Sequence, residues 1–478
     1  MINKVRVLSV ALLGAFIFQV SPAFADSSAE MMSMLKSLQQ QIANMQTTID
    51  SQNKRIQQLE GPNTDDAKKI VRDSVAAAMP WTKGVKYGGD FRVRYESFTY
   101  YNKNDDAGST GLAADRTRNR FRIRLRWGME KDLGEDWKVG FRIDTGNTTD
   151  PTSTWQTIGN SGYFVFKNVV FDRAYATYEP SALKDKGPLK DVKIGLGKFE
   201  NPFFRYSTPM VWDSDVTPEG IYERANLSLI NTDSDKLNAQ ATTGQFIVNE
   251  NTSLDSDANI FAYQGALSWS TKIFNTDKPV EIATAVSFYD YTNWFRTVLA
   301  SGNTVATSYI RTNSIVADDF RVLDIYPEVN FYVNQTPVML WYDYALNTAN
   351  VGTADAAQSL GNDIHDSDQG WGVGGKIGSA KKKGDWETFY SYYEIGANSV
   401  VAAFNDADLG GPGQLGYTNR KGHRAGTTYN LTDNVALSFN VLFFQPLNPF
   451  SGGSATTGLQ NASNESVFRT QLDLNYKF

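Results

Sequence analysis

Between residues 116 and 126 an arginine stands at every second position, as Arg116, Arg118, Arg120, Arg122, Arg124 and Arg126. Phe121, Ile123, Leu125, Trp127 and Met129 fill the alternate positions. Successive side chains of a strand point to opposite faces, so this strand has one bulky apolar face and one face of guanidinium. A soluble half-buried sheet can do the same once, so the weight falls on repetition. Trp137, Val139, Phe141 and Ile143 alternate with Lys138, Arg142 and Asp144. Ile325, Val329, Phe331 and Val333 alternate around Glu328 and Asn330, and Val435, Leu437, Phe439, Val441 and Phe443 around Ser438 and Asn440. The last segment sets Phe468, Leu472, Leu474, Tyr476 and Phe478 against Arg469, Gln471, Asp473, Asn475 and Lys477. Alternating segments of about ten residues, rich in aromatics, are the pattern of a transmembrane β-barrel.

The connections carry separate information. Short turns are expected at 131–136, 232–235, 334–336, 379–385 and 432–434, and long polar stretches near 101–115, 146–162, 200–220, 250–258, 291–318, 347–368, 397–416 and 446–465. Short and long connections alternate, as they do when one rim faces the periplasm and the other the exterior. Eight long loops imply an all-β, 16-stranded antiparallel barrel with both chain ends at the periplasmic rim. A barrel of that size encloses an aqueous lumen rather than a packed interior. Lipid offers the arginines no partner, so their face turns inward.

Composition removes most other classes. The 478 residues include no Cys and two His, His365 and His423, which excludes a disulfide framework, a Cys-ligated metal and a three-histidine site. Mean hydropathy is −0.39, and after residue 25 no stretch reaches the 18 or so apolar residues of a spanning helix. A net charge of −6 argues against a nucleic-acid partner, whose affinity would come from clustered cations. His365 lies among acids and a serine at 362–368, a neighbourhood that loop composition produces by chance, and no enzyme is read from it. The acidic patches 255–257 and 363–368 match no defined Ca²⁺ loop and read as solvated charge. No cofactor or metal is expected.

The N-terminus differs from the rest. Lys4 and Arg6, an apolar run over 7–20 and the Ala23-Phe24-Ala25 tripeptide form a secretory signal over 1–25. Its loss leaves 44 basic against 52 acidic residues, a mature charge of −8. Residues 26–61 read as a periplasmic coiled coil. From Met31, the seam runs through Leu35, Leu38, Ile42, Met45, Ile49, Gln52, Ile56 and Leu59 in steps of four and three, a 3.5-residue period that keeps one face toward a partner helix. The remaining faces are polar, so self-association is expected. The seam residues lean toward a dimer. Gly61-Pro62 ends the helix, 62–83 is a linker with a short amphipathic helix, and 84–478 is the barrel.

Several runs resemble the putative-porin family of Gram-negative outer membranes: Asn119-Arg120-Phe121-Arg122-Ile123-Arg124, Asp172-Arg173-Ala174-Tyr175 with Thr177-Tyr178, Lys198-Phe199-Glu200-Asn201-Pro202-Phe203, and Val211-Trp212-Asp213-Ser214-Asp215. The terminal Tyr476-Lys477-Phe478 is similar to the aromatic end that such barrels present to their assembly machinery. The resemblance is densest over 85–230. It implies an outer-membrane porin for passive diffusion of small hydrophilic solutes and ions, in contact with lipid and lipopolysaccharide, and favours a trimer. Peptidoglycan is a further partner considered for the coiled coil. A substrate-specific channel for an anion or small organic solute is the alternative, with an adhesin or structural tether behind it. Trimeric autotransporters, which also join coiled coils to barrels, give only a few strands per chain.

A pore selects at its narrowest ring of charges and dipoles. Counting strands from residue 85 makes 192–198 the fifth and 199–220 the third long loop, the one that enters the lumen in general porins. It holds Glu200, Arg205, Asp213, Asp215 and Glu219, with Pro202, Pro209 and Pro218. The first three strands supply Arg92, Arg94, Arg118, Arg120, Arg122, Arg124, Arg126 and Arg142. A basic wall facing an acidic loop sets a transverse field across the pore. About half of the arginines are expected to pair with Asp90, Glu96 or Asp144 on neighbouring strands. The loop carboxylates are expected to be wet, so reversing their charge should alter selectivity and spare stability.

Overall fold

A computed structural model describes residues 36–37, 40–41, 43–52, 74, 79 and 82–478, the last without 103–115, 147–149, 161, 205–207, 251–256, 274–277, 294–312, 314–319, 350–367, 410–417 and 449–464. The chain divides into two units, Met1–Lys83 and Gly84–Phe478. In the first, described residues between 36 and 52 are helical, with Thr47 and Thr48 donating to the carbonyls of Ala43 and Asn44. Met45 and Ile49 of the seam are exposed, and Gln52 lies on the same helix; the other five seam residues lie outside the described residues. So do all of the signal segment, His365 and most of 62–83.

The second unit is one closed antiparallel sheet. Its wall strands are β1 (Val85–Asn102), β2 (Arg116–Gly134), β3 (Trp137–Thr145), β5 (Val169–Tyr178), β6 (Leu189–Lys198), β7 (Glu219–Asn231), β8 (Asp235–Asn249), β9 (Ala258–Thr271), β10 (Val280–Thr292), β11 (Phe320–Val333), β12 (Thr336–Asn347), β13 (Gln369–Gly378), β14 (Trp386–Ile395), β15 (Arg420–Asn430), β16 (Val435–Pro446) and β17 (Glu465–Lys477). These are the sixteen long strands. A two-residue strand, β4 (Gln156–Thr157), pairs with β2. β1 pairs with both β2 and β17, which closes the ring. At the closure Gly89 and Phe478 exchange backbone hydrogen bonds of 3.0 and 3.1 Å.

Alternation decides which way each strand faces. Phe121 is 54% and Leu125 39% exposed on the outer surface, whereas Arg122 and Arg124 are 3% and 5% exposed. Outward Phe91, Tyr95, Phe468, Leu472 and Tyr476 continue the apolar belt around the closure. The five short turns lie where the alternation breaks. Two more, at 179–188 and 272–279, complete the seven short connections. The first holds the turn dipeptide Gly187-Pro188, whereas the second carries none and the alternation alone does not mark it.

The lumen departs from the expected open, water-filled cylinder. Phe199, Phe203, Met210, Val211, Trp212 and Val216 of the third long loop (199–218) are buried with Val400, Val401 and Leu409 of the seventh (396–419). They pack on Tyr222, Phe246, Tyr289, Tyr291 and Tyr393 of the wall. Two apolar loops therefore build a core inside the barrel, because strand geometry fixes its diameter but not what the connections put into it. At the root of the third loop Gly197 and Gly220 pair in register at φ 106° and 143°. A Cβ there would stand 2.4 Å from the Ala174 carbonyl oxygen or 2.1 Å from that of Gln245, so only glycine fits.

Candidate pore constriction

The basic half of the site is laid down by strand register. β1 and β2 set Asp90 opposite Arg126, Arg92 opposite Arg124, Arg94 opposite Arg122 and Glu96 opposite Arg120. β17 then sets Asp473 beside Arg94 and Gln471 beside Glu96. Each pair shares the lumen face, so the ladder of like charges is interleaved with carboxylates. Arg94 binds Asp473 through two nitrogens at 2.7 and 2.8 Å, the bidentate geometry that makes such pairs strong. Glu96, with no exposed surface, takes Arg120 Nε at 2.6 Å and Arg469 Nε at 3.0 Å. Asp90 holds Arg124 at 2.8 Å and Arg126 at 2.7 Å. Arg92 and Arg122 each stand 3.8 Å from a carboxylate, and Arg122 also donates to Ser153 Oγ at 3.1 Å and to the Trp155 carbonyl at 3.4 Å.

Three loops face this wall. β4 ties the second loop to Arg122 and Ile123 of β2, which delivers Trp155 among the guanidinium groups. Its ring centroid lies 4.2 Å from Arg94 Cζ, and 5.5, 5.6 and 5.8 Å from those of Arg124, Arg122 and Arg92, all within cation–π range. From the third loop Asp215 approaches Arg126 at 3.4 Å and Arg124 at 3.9 Å. From the seventh, Asp408 binds Arg469 at 2.7 Å and Arg94 at 3.6 Å, and Asp406 binds Arg424 of β15 at 3.2 Å. The third and seventh loops are clasped to each other: Asp213 N donates to Phe404 O at 2.7 Å and Asp406 N to Pro209 O at 2.9 Å. The rings of Trp212 and Phe404 stack at 5.0 Å beside these bonds. Between wall and loops remains a cavity of about 310 Å³, lined on one side by Arg92, Arg94, Arg120, Arg122 and Arg124 and on the other by Asp213, Asp215, Asp406 and Asp408.

The loop carboxyls titrate apart. Burial raises Asp213 well above the ordinary carboxylate range, and the neighbouring Asp406 and Asp215 raise it further. Asp406 is also raised by burial, with Arg424 opposing. Burial pushes Asp408 the same way, but Arg469 and Arg94 outweigh it and hold the group below the usual range. One acidic face thus sets a carboxyl held below the usual range beside two held above it.

Several expectations need correction. Glu219 opens β7 and pairs across the strand with Lys198 at 2.8 Å, so it does not face the arginines of β1–β3. Glu200 likewise turns to Arg173 at 2.7 Å, outside the cavity. Arg142 is bound to Asp172, which a bulge at Arg142 and Ile143 brings alongside. Arg118 is exposed and lies 5.9 Å from the Phe98 ring, and Arg205 lies outside the described residues. Five of the eight arginines, Arg94, Arg120, Arg122, Arg124 and Arg126, stand within 4.0 Å of Asp90 or Glu96, while Arg92 and Arg142 pair with Asp473 and Asp172 in place of Asp144. Nor are the loop acids wet, since Asp213 and Asp215 are 8% and 9% exposed. Trp155, Asp406 and Asp408 had no signal in the sequence beyond residue type. Arg424 and Arg469 share the inward parity of their strands, and that alone could have placed them.

The family model described as "Putative porin" matches residues 110–314 and 298–478. No curated protein sequence matches the chain. Among solved structures it is similar to OprB of Pseudomonas putida, at 11% identity over 87% of this chain and 96% of that one, with a TM-score of 0.45. The anion-selective porin of Comamonas acidovorans is 12% identical over 82% of this chain and 99% of its own, with a TM-score of 0.41. For Salmonella typhi OmpF in complex with daunomycin the values are 11%, 83%, 99% and 0.40. With the two matched segments taking in most of the barrel, the chain belongs to the Putative porin family, the outer-membrane porins of Gram-negative bacteria.

Proposed function

We propose that the protein is a channel for passive diffusion of small hydrophilic solutes and ions, whose selectivity is set where the arginine wall of β1, β2 and β17 faces Asp215, Asp406 and Asp408. The observation that carries the reading is the 310 Å³ cavity, lined mostly by charged and polar groups, inside a ring whose outer surface is apolar. Charges fixed on opposite sides of a narrow passage orient and sort solutes by their own charge and dipole. The narrowness of the cavity and the core beside it favour the second reading, a channel that admits few solutes, over a wide general pore. Purified protein in a planar bilayer tests the proposal: stepwise conductance in KCl supports it, and folded, inserted protein that passes no current refutes it.

Self-association belongs to the same reading. Tyr163, Phe164 and Phe166 of the second loop are almost fully exposed, and Phe171 is 70% exposed. Contiguous apolar surface of this kind marks a contact, which supports an oligomer, and the family favours a trimer. Residues 1–25 act as the secretory signal, 26–61 as a coiled coil in the periplasm, within reach of peptidoglycan, and 84–478 as the barrel in lipid and lipopolysaccharide.

A further inference from the structure

A second cavity, of about 780 Å³, lies on the turn side of the clasped loops against β11–β15. Tyr326, Trp341 and Phe389 line it, with Tyr393 behind them. The rings of Tyr326 and Trp341 are near-parallel, 6.1 Å apart at 21°, and Trp341 lies 5.7 Å from Tyr393 at 36°. The intervening strand β13 carries glycine where these rings rest: a Cβ on Gly374 would meet Trp341 at 2.4 Å, and one on Gly372 would meet Tyr393 at 2.5 Å. The aromatic groups are thereby sunk into the wall, and the space in front of them stays open.

Arg424 belongs to both cavities. Its guanidinium lies 5.9 Å from the Phe389 ring and 3.2 Å from Asp406, so it stands where the aromatic wall meets the charged passage. On the far side, Nε of Arg92 and of Arg122 are buried without a hydrogen-bond acceptor. The rest of each guanidinium lines the charged cavity, 3.8 Å from its nearest carboxylate, and an anion in the cavity can take charge-assisted hydrogen bonds from it. The passage also carries a slight cationic excess. Arg92, Arg94, Arg120, Arg122, Arg124, Arg126, Arg424 and Arg469 meet Asp90, Glu96, Asp213, Asp215, Asp406, Asp408 and Asp473, eight guanidinium groups against seven carboxyls. Burial of Asp213 and Asp406, which raises both carboxyls, widens that excess, and it suits an anion over a cation.

We propose that the lumen holds a binding track for small aromatic monocarboxylates, the ring resting on Tyr326, Trp341 and Phe389 and the carboxylate moving between Arg424 and the guanidinium groups of Arg92 and Arg122. Flat rings gain from offset stacking on other rings beyond the burial of their area, and a guanidinium fork matches a carboxylate. A ring alone lacks the second contact and a short carboxylate lacks the first. This inference rests on the channel reading and names the solute for it.

The test uses the full-length protein in planar bilayers bathed in KCl, with benzoate, acetate or benzyl alcohol added at matched concentrations. Benzoate should interrupt the current at a concentration about tenfold below the other two, the factor that one well-placed contact supplies. Trp341→Leu should raise the half-blocking benzoate concentration by about three- to tenfold, and Trp341→Phe should restore most of it. Heat-modifiable migration in gels shows whether each variant is folded; if the leucine variant fails to insert, the three-solute comparison on the unaltered protein decides alone. Equal effects of benzoate and acetate, or a folded leucine variant with unchanged benzoate response, overturn the inference while leaving the channel in place. Absence of any KCl conductance overturns instead the reading beneath it.

Discussion

Replacing Glu96 by Gln removes one charge from the most densely bridged point of the lumen. The carboxylate has no exposed surface and lies 2.6 Å from Arg120, 3.0 Å from Arg469, 3.8 Å from Arg122 and 4.0 Å from Arg94; Gln471 Nε2 also donates to it at 3.1 Å. An amide of the same shape keeps one acceptor but turns two N–H donors toward groups that only donate. Removing one partner of a buried ion pair costs about 3–5 kcal/mol because the other charge is left uncompensated. Glu96→Gln falls near the low end, about 3 kcal/mol, since the remaining oxygen still accepts from one arginine and Asp408 still holds Arg469 and Arg94. Equilibrium unfolding of the detergent-solubilised barrel in urea measures the loss, and the reversal potential in a salt gradient should move toward anions. Adding Arg120→Gln should recover part of both effects, because neighbours in one network are not additive. Unchanged stability together with an unchanged potential would refute the assignment of Glu96 as the hub of the wall.

Leu125→Arg puts a charge on the lipid side of β2 and should cost about 2–4 kcal/mol if it lies near the bilayer midplane, whereas Arg124→Leu on the lumen side should cost less and leave heat-modifiable migration intact; equal behaviour would invert the assigned faces. Asp215→Lys should shift the reversal potential toward anions, and Arg122→Glu with Arg124→Glu toward cations. Asp213→Lys should in addition unsettle the third loop, because Asp213 is buried and its carboxylate accepts from Asp215 N at 2.7 Å. Since burial raises Asp213 above its unfolded value, the clasp is strongest at low pH and weakens as pH rises from the usual carboxylate range, about 4, through the raised value. Brief closures of single channels should become less frequent and open-state noise greater along that course, and Asp213→Asn should flatten the dependence. Deleting residues 28–60 should leave a conducting barrel, and Ile42→Asn with Ile49→Asn should abolish association of the isolated coiled-coil peptide in sedimentation.

The wall was legible in the sequence because lipid enforces it one residue at a time. At Phe121, Arg122, Ile123 and Arg124 each side chain must choose between hydrocarbon and lumen, and the choice shows as a period of two. Loop lengths gave the topology for a similar reason, and counting strands led to Asp213 and Asp215. What was not legible depends on contacts between distant parts of the chain. Arg94 and Asp473 lie 379 residues apart, and nothing local marks them as a pair. The seventh loop offers Asp406 and Asp408 in a stretch of small residues, with no periodicity to show that it folds inward beside the third. Glu219 was misplaced because proximity in sequence to Asp215 hid the start of β7, where strand pairing with Lys198 takes over. Asp473, Asp215 and Asp408 join Asp90 and Glu96 as partners of the arginines because the apolar groups of both loops close much of the lumen.

The chain has no Cys, so a single introduced thiol reports its own surroundings without background. Ser214 is exposed between Asp213 and Asp215 and lines the 310 Å³ cavity, which makes Ser214→Cys the most direct probe of the central claim. Single channels of this variant should lose conductance when treated with a charged methanethiosulfonate reagent. Their reversal potential should move toward anions with a cationic reagent and toward cations with an anionic one, while Leu340→Cys on the outer face stays unaffected. Labelled Ser214→Cys channels with unchanged conductance and unchanged potential would place the ion path elsewhere and contradict the account.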